Sequence, residues 1–392
     1  MVQHIFIIGS KGIPGAYGGY ETFVDKLTEY HEDCKAIKYH VACKGKKELE
    51  TEYHNAHCFT VKVPDIGAAQ AIYYDVKALQ FCLKYIKLHK IENPIVYILA
   101  CRIGPFARHY LKKVHKFGGK VYVNPDGHEW KRSKWNYFVR KYWKLSERLM
   151  VKNSDLLICD SVNIEKYIHK EYNRFSPCTT YISYGAEIAD SESLDSGVNN
   201  RYREWLAKNH VTEGQYYLIV GRFVPENNYE TMIREFMNSA TSKKLVIICN
   251  KNEKLQRELR TILHFEQDDR ICFAGTVYDK CLLMEIRKHA YGYIHGHEVG
   301  GTNPSLLEAL GSTNMNLLLD VGFNKEVAKD GALYWNKQQG NLKGLIDRLE
   351  DISSDQTNAL GKKAKKRICE AYSWEKIADQ YLNLFTKEIA ES

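Results

Sequence analysis

Short apolar runs alternate along the chain with segments whose apolar residues recur every three or four positions. Residues 4–9 carry Ile5, Phe6, Ile7 and Ile8 in one run that ends on glycine, the pattern of a strand buried on both faces. Residues 21–30 follow with helical spacing. The same reading predicts strands at 36–43, 58–63, 94–100, 120–124 and 156–160, and helices at 69–89, 106–116, 135–150 and 162–170. In 69–89, Ile72, Val76, Leu79, Leu83 and Ile86 fall on one helical face. Residues 191–200 are rich in Ser, Asp, Gly and Asn and read as a break. A second series follows, with strands at 216–221, 244–249, 271–274, 291–295 and 316–320. Its helices are expected at 229–237, 253–263, 280–289, from 305 onward, at 340–351, 357–372 and 374–389. Strand–helix alternation of this kind builds parallel βαβ units. The expectation is an α/β protein of two doubly wound, Rossmann-like domains facing one cleft. Ligands in such sheets bind beyond the carboxyl ends of the strands.

Composition narrows the class. The chain has 392 residues, 44% hydrophobic and 27% charged, which fits a two-domain globular protein and excludes disordered or collagen-like chains. The longest apolar runs, at 5–8 and 95–101, are far short of the roughly 20 residues a membrane span needs. No basic stretch or cleavage site precedes the first strand, so a cytoplasmic location is expected. The eleven cysteines include no Cys-x-x-Cys pair, which argues against a zinc site or a disulfide framework. Charge is uneven. The whole chain is +8, yet residues 1–180 hold 29 Lys and Arg against 18 Asp and Glu. The first domain is therefore basic, as it would be for nucleic acid, anionic lipid or a phosphorylated substrate.

Candidate chemistry clusters where strands end. Residues 9–19 contain five glycines and open a helix, so the backbone can approach a ligand closely and a helix N-terminus can face an anion. The segment is neither a Walker loop nor a dinucleotide fingerprint. After the strand at 120–124 come Asp126, His128 and Glu129, groups able to do acid–base work or to hold sugar hydroxyls. Residues 131–144 interleave Lys131, Arg132, Lys134, Arg140, Lys141 and Lys144 with Trp135, Tyr137, Phe138 and Trp143. That composition suits an anionic bilayer surface, single-stranded nucleic acid, or an amphipathic helix that buries its aromatics. Arg222 follows Gly221 at another strand end and is a candidate phosphate ligand. In the segment from His295 to Leu310, Pro304 sits where a helix would start, with Glu308 about one turn in, able to reach a ribose hydroxyl. His295 and His297 lack a third ligand at metal spacing.

Together these segments resemble the retaining GT-B glycosyltransferases of the large "family four" class, over nearly the whole length. Val220-Gly221-Arg222-Phe223 is similar to that class's pyrophosphate-binding strand end. Phe273-Ala274-Gly275-Thr276-Val277 is similar to its nucleobase loop, and Pro304 to Ala309 to the second half of its Glu-x7-Glu signature. Tyr372-Ser373-Trp374-Glu375 resembles the start of its closing helix, which crosses back to the first domain. The resemblance implies domains at 1–185, with 373–392 crossing back, for the acceptor and membrane, and at 186–372 for the donor. Lys11-Gly12-Ile13-Pro14, Tyr17-Gly18-Gly19-Tyr20-Glu21, the run from Asp126 to Arg132 and that from Gly300 to Ser305 resemble the bacterial rhamnosyltransferase subgroup. Its streptococcal members add L-rhamnose to a lipid-pyrophosphate-linked sugar in capsule or cell-wall synthesis.

The implied reaction moves a 6-deoxyhexose from dTDP-L-rhamnose to a polyprenyl-pyrophosphate sugar, GlcNAc or Glc, with retention. A UDP-sugar donor is the alternative. The implied donor contacts are Gly12, Arg222, Asn227, Val277, Glu298, Gly301, Thr302, Asn303, Ser305 and Glu308. Asp126, His128 and Glu129 are the expected catalytic group, and Tyr17, Gly18, Gly19 and Glu21 the expected acceptor loop. Lys131, Arg132, Lys134, Trp135, Arg140 and Lys141 are expected to face the membrane. No cofactor, metal or nucleic acid is implied. Two positions depart from the class: Asn227 stands where it has Lys, and Gly300 where it has Glu, with Glu298 two residues away. A nucleotide-sugar epimerase of the same architecture would not need the basic-aromatic stretch. A non-catalytic nucleic-acid-binding protein would not need the glycine-rich loops.

Overall fold

A computed structural model describes residues 2–15, 18–132, 135–188 and 196–391. The chain divides into two compact units, Met1–Gly185 with Trp374–Ser392, and Ala186–Ser373.

The first unit runs β1 (Gln3–Ile8), α1 (Gly19–Tyr30), β2 (Ile37–Gly45), β3 (Glu50–Tyr53), β4 (Ala56–Lys62), α2 (Gln70–Leu88), β5 (Ile95–Leu99), α3 (Gly104–His115), β6 (Lys120–Asn124), α4 (Tyr137–Asn153), β7 (Leu156–Cys159), α5 (Val162–Tyr172) and β8 (Thr179–Tyr181). The sheet order is β3-β4-β2-β1-β5-β6-β7-β8. All pairs are parallel except β3 with β4. Ile5, Phe6, Ile7 and Ile8 are fully buried, each worth roughly 1.5–3 kcal/mol against exposure. That explains an unbroken apolar run with helices on both faces.

The second unit holds α6 (Ser196–Lys208), β9 (Tyr216–Gly221), α7 (Tyr229–Met237), β10 (Lys244–Cys249), α8 (Glu253–Leu263), β11 (Ile271–Gly275), α9 (Lys280–Lys288), β12 (Gly292–His295), α10 (Pro304–Ser312), β13 (Asn316–Leu319), α11 (Gly322–Ala328), β14 (Leu333–Trp335), α12 (Asn341–Leu349) and α13 (Ser354–Tyr372). Its sheet is wholly parallel, in the order β11-β10-β9-β12-β13-β14. Helix α14 (Trp374–Glu391) then returns to the first unit. There the Ala378 carbonyl lies 3.1 Å from His31 Nε2, the Tyr381 hydroxyl 3.0 Å from that of Tyr97, and Phe385 packs on Tyr39 and Tyr122.

Both sheets are the doubly wound ones that the periodicity predicts. The differences lie at edges. Strand β3 is a four-residue antiparallel edge, joined to β4 through His54 and Asn55 at φ 44° and 53°. Its Glu-Thr-Glu-Tyr sequence has no apolar alternation to signal it. The three-residue β8 and β14 and the seven-residue α11 are too short to show a period. The expected break at 191–200 is corrected in its second part. Residues 189–195 lie outside the described residues, but α6 starts at Ser196 and buries Val198, Tyr202 and Trp205. Its polar first turn hid that stripe.

Candidate functional site

Each sheet has one point where strand order reverses, between β1 and β5 in the first unit and between β9 and β12 in the second. Doubly wound folds bind ligands in such crevices. Three of the segments singled out in the sequence leave β1, β9 and β12, and a fourth leaves β6 beside β5.

In the first unit the loop after β1 is held from within. The Lys11 carbonyl accepts from Lys44 N at 2.8 Å, and Gly12 N donates to Ser10 Oγ at 3.3 Å. Glu21 Oε1 accepts from Lys11 N at 2.8 Å. Gly18, at φ 130°, lets the chain pass so close that a Cβ there would fall 1.9 Å from Glu21 Oε2. Glu21 is buried and closes this loop, while Gly19 opens α1 exposed. Tyr17 lies outside the described residues. Arg102, which sequence reasoning missed, donates from Nη1 to the Gly9 carbonyl at 2.8 Å and to Asp75 Oδ2 at 3.2 Å. Burial pushes the Asp75 carboxyl up to about 6 against the pull of Arg102. A lone arginine after an apolar strand gives no sequence signal of that anchorage.

After β6, Asp126, Gly127 and His128 have φ of 56°, 68° and 58°. Left-handed non-glycine residues store strain and gather at functional loops. Asn124 Oδ1 accepts from Asp126 N at 2.8 Å and helps to hold the turn. The His128 ring lies 4.1 Å from that of Tyr167. Burial, then the charges of Lys131 and Lys144, push His128 down to about 4, so its imidazole is neutral near pH 7. Glu129 Oε1 accepts from Trp135 Nε1 at 2.9 Å, and Oε2 pairs with Arg132 Nε. Both carboxylate oxygens therefore brace the loop.

That bracing corrects part of the expected membrane face. Arg132 is 6% exposed and Trp143 is in the core, so neither reaches a bilayer. A guanidinium in this position is stable only with its carboxylate beside it. Trp135 is half-buried. Arg140 is exposed but donates to the carbonyls of Trp130 and Lys131 at 2.9 and 3.0 Å. Lys131 and Lys141 are exposed, their Nζ atoms 5.3 Å and 4.4 Å over the rings of Trp130 and Tyr137. Tyr137 and Phe138 are exposed at 63% and 80%. Lys134 lies outside the described residues.

In the second unit, Arg222 is exposed beyond β9. Asn227 Nδ2 donates to its carbonyl at 2.7 Å, which turns Oδ1 toward His297 Nδ1, 2.9 Å away. That nitrogen must carry the proton. The neutral amide thus laces the loops after β9 and β12, the position where the class carries lysine. Glu298 pairs with Lys337, and Gly300 sits at φ 125°. A glutamate at Gly300 would be strained there. Gly301 and Thr302 are buried. Asn303 caps α10 by accepting from Ser305 N at 2.9 Å, with Pro304 at the first helical position. Ser305 Oγ donates to the Val220 carbonyl at 3.1 Å. Glu308 Oε2 lies 2.6 Å from Arg287 Nη2. Val277 is half-buried after β11, where Thr276 Oγ1 donates to the Cys249 carbonyl at 3.1 Å. Burial pushes His295 down to about 3, so it is neutral. Among the described residues no three His, Cys, Asp or Glu groups are placed to hold a metal. Arg222 and the N-terminal dipole of α10 give this unit's reversal point a positive end suited to phosphate.

Two family profiles match the chain, one over most of each unit. The profile "Glycosyl transferases group 1" matches residues 203–374. Residues 203–374 thus belong with the group 1 glycosyltransferases, in a chain of GT-B fold. Residues 2–187 match "Domain of unknown function (DUF1972)". Sucrose-phosphate synthase from Thermosynechococcus elongatus superposes with a TM-score of 0.77 at 16% identity, over 100% of both chains. Anabaena Alr3699/HepE, in complex with UDP and glucose, gives 0.70 at 13% identity over 99% of this chain and 100% of the other. The structure described as "Trehalose-6-phosphate from E. coli bound with UDP-2-fluoro glucose" gives 0.69 at 11% identity over 98% of each chain. No curated protein matches. Among the described residues no helix is long and apolar enough to cross a membrane.

Proposed function

We propose that the enzyme transfers a 6-deoxyhexosyl group, L-rhamnose from dTDP-L-rhamnose, to a polyprenyl-pyrophosphate-linked GlcNAc or Glc, with retention. The setting is polysaccharide synthesis for capsule or cell wall, with the protein peripheral at the cytoplasmic face of an anionic membrane. The observation that carries the reading is the group at the second unit's reversal point: exposed Arg222, the start of capped α10, and Glu308 one turn in. The resemblance of residues 9–21, 124–132 and 300–305 to rhamnosyltransferases supports the donor.

The sugar's C1–O bond to the diphosphate breaks as the acceptor hydroxyl forms a bond to C1 on the same face. The hydroxyl proton passes to a diphosphate oxygen. Arg222 and the α10 dipole stabilise the departing diphosphate, which develops charge as the bond lengthens. Glu308 holds the pentose. In the first unit, Asp126, half-exposed on its strained turn, offers hydrogen bonds to sugar hydroxyls, and His128, neutral, accepts or donates one without adding charge. A second reading, a UDP-sugar donor, is favoured by the UDP in the Anabaena structure and the UDP-2-fluoro glucose in the E. coli one.

A panel of nucleotide sugars with a short-chain polyprenyl-diphosphate GlcNAc, and the anomeric configuration of the product by NMR, tests the assignment. dTDP-L-rhamnose should be the donor consumed. Arg222→Ala and Glu308→Ala should each weaken dTDP binding about ten- to hundredfold, the cost of a hydrogen bond to a charged group. Transfer from UDP-glucose alone, or unchanged dTDP affinity in both folded variants, sinks the donor assignment.

A further inference from the structure

The Glu308 carboxylate is held by a buried cation. Arg287, on α9, has a side chain only 5% exposed, against 40% for Glu308. Its Nη2 donates to Glu308 Oε2 at 2.6 Å and to Ser305 Oγ at 3.3 Å. Ser305 Oγ also lies 3.2 Å from the Tyr293 hydroxyl and donates to the Val220 carbonyl, next to Gly221 and Arg222. The Arg287 carbonyl accepts from Thr313 Oγ1 at 2.8 Å, and its Nε is buried with no hydrogen-bond partner among the described residues. One polar network therefore joins β9, β12, α9 and α10, and its charged centre is the Arg287–Glu308 pair. A guanidinium taken this far from water dictates where its carboxylate sits, because separating them would leave a buried charge unpaired.

A carboxylate free to rotate offers two oxygens to the vicinal 2′ and 3′ hydroxyls of a ribose. Here Oε2 faces the guanidinium, and Oε1 makes no hydrogen bond among the described residues. Resting on the assignment of Glu308 to the donor's pentose, we infer that Arg287 is a positioning residue that presents one carboxylate oxygen to the sugar. The site then reads a single hydroxyl, and because the proposed dTDP donor has no 2′ hydroxyl it is the 3′ one, which ribo- and deoxyribonucleotides share. It takes a 2′-deoxynucleoside diphosphate as tightly as its ribo counterpart.

UDP and dUDP differ only at the 2′ position, so calorimetric titration of both isolates the effect. The wild-type affinities should agree within about twofold. Arg287→Met should release Oε2 to the 2′ hydroxyl and shift the ratio about tenfold toward UDP, the scale of one hydrogen bond to a charged group. Arg287→Lys, which keeps a charged donor, should retain the wild-type ratio. The shift should vanish in the double variant Arg287→Met, Glu308→Gln. A merely structural arginine would weaken both nucleotides alike and leave the ratio unmoved. A wild type that already favours UDP tenfold, or an Arg287→Met protein with the wild-type ratio, overturns the assignment. The wild-type and Arg287→Lys ratios decide it even if Arg287→Met fails to fold. If rhamnosyl transfer is observed while these ratios disagree, Arg287 alone loses its role. A wild type that binds neither UDP, dUDP nor dTDP refutes the donor site as well.

Discussion

Lowering the pH from 7.5 to 5.0 should remove about 2 kcal/mol of stability at one side chain, His40 on β2. Its ring stacks on Phe6 at 4.3 Å and lies between two other imidazoles. His4 Nδ1 is 2.9 Å from His40 Nε2, His40 Nδ1 is 3.1 Å from His57 Nδ1, and His57 Nε2 meets Glu50 Oε2 at 2.8 Å. Burial first, then His4, His57, Lys38 and His89, push His40 from 6.5 down to about 2. The unfolded chain therefore takes up the proton before the folded one does. Stability from this group is complete above pH 6.5, falls as pH drops below it, and keeps falling toward pH 2. At about 1.4 kcal/mol per unit, the 1.5 units between 6.5 and 5.0 give about 2 kcal/mol. Urea unfolding of wild type and His40→Leu at pH 7.5, 6.0 and 5.0 reads it. The variant should be less stable at pH 7.5, because His4 and His57 lose a partner, yet lose about 2 kcal/mol less on acidification. His31, His128 and His295, which burial also pushes down, are present in both proteins and cancel in the difference. Equal pH slopes for the two would refute the reasoning.

Three further outcomes test the site and the surface. Gly300→Glu restores the class signature in sequence, but at φ 125° it should lower stability by about 1–3 kcal/mol without tightening nucleotide binding; thermal melting with dTDP titration checks this, and tighter binding counts against it. Phe138→Asp with Lys141→Glu should weaken sedimentation with anionic vesicles about tenfold or more, at roughly 1 kcal/mol per cation near the surface. Arg132→Ala should instead lower the melting temperature and leave vesicle binding of the folded protein unchanged, since that arginine braces Glu129 inside the loop. Vesicle binding that follows Arg132 rather than Phe138 and Lys141 would return the buried residue to the membrane face.

Much of the architecture is legible in the chain because periodicity is a local property. The unbroken apolar runs at Ile5–Ile8 and in β9 and β10 can be satisfied only by strands covered on both faces. Glycine and proline then mark where each turns into a helix, so the loops after β1, β9 and β12 could be placed on the sheet edge from sequence alone. Pro304 announced the start of α10, because its fixed φ suits the first helical position; the structure adds Asn303 as the cap. Contacts between distant residues were not legible in the same way. The aromatic and basic stretch at 131–144 reads alike whether its side chains face lipid or core, and only packing placed Trp143 and Arg132 inside while leaving Phe138 outside. Glu308 could be placed one turn into α10, but not beside Arg287, which α9 brings against it from 21 positions earlier in the chain, and Asn227 looked like a lost cation until β12 delivered His297 to its amide. Long polar side chains choose partners by where the fold brings backbones together, a consequence of sheet order and helix packing that neither spacing nor composition encodes.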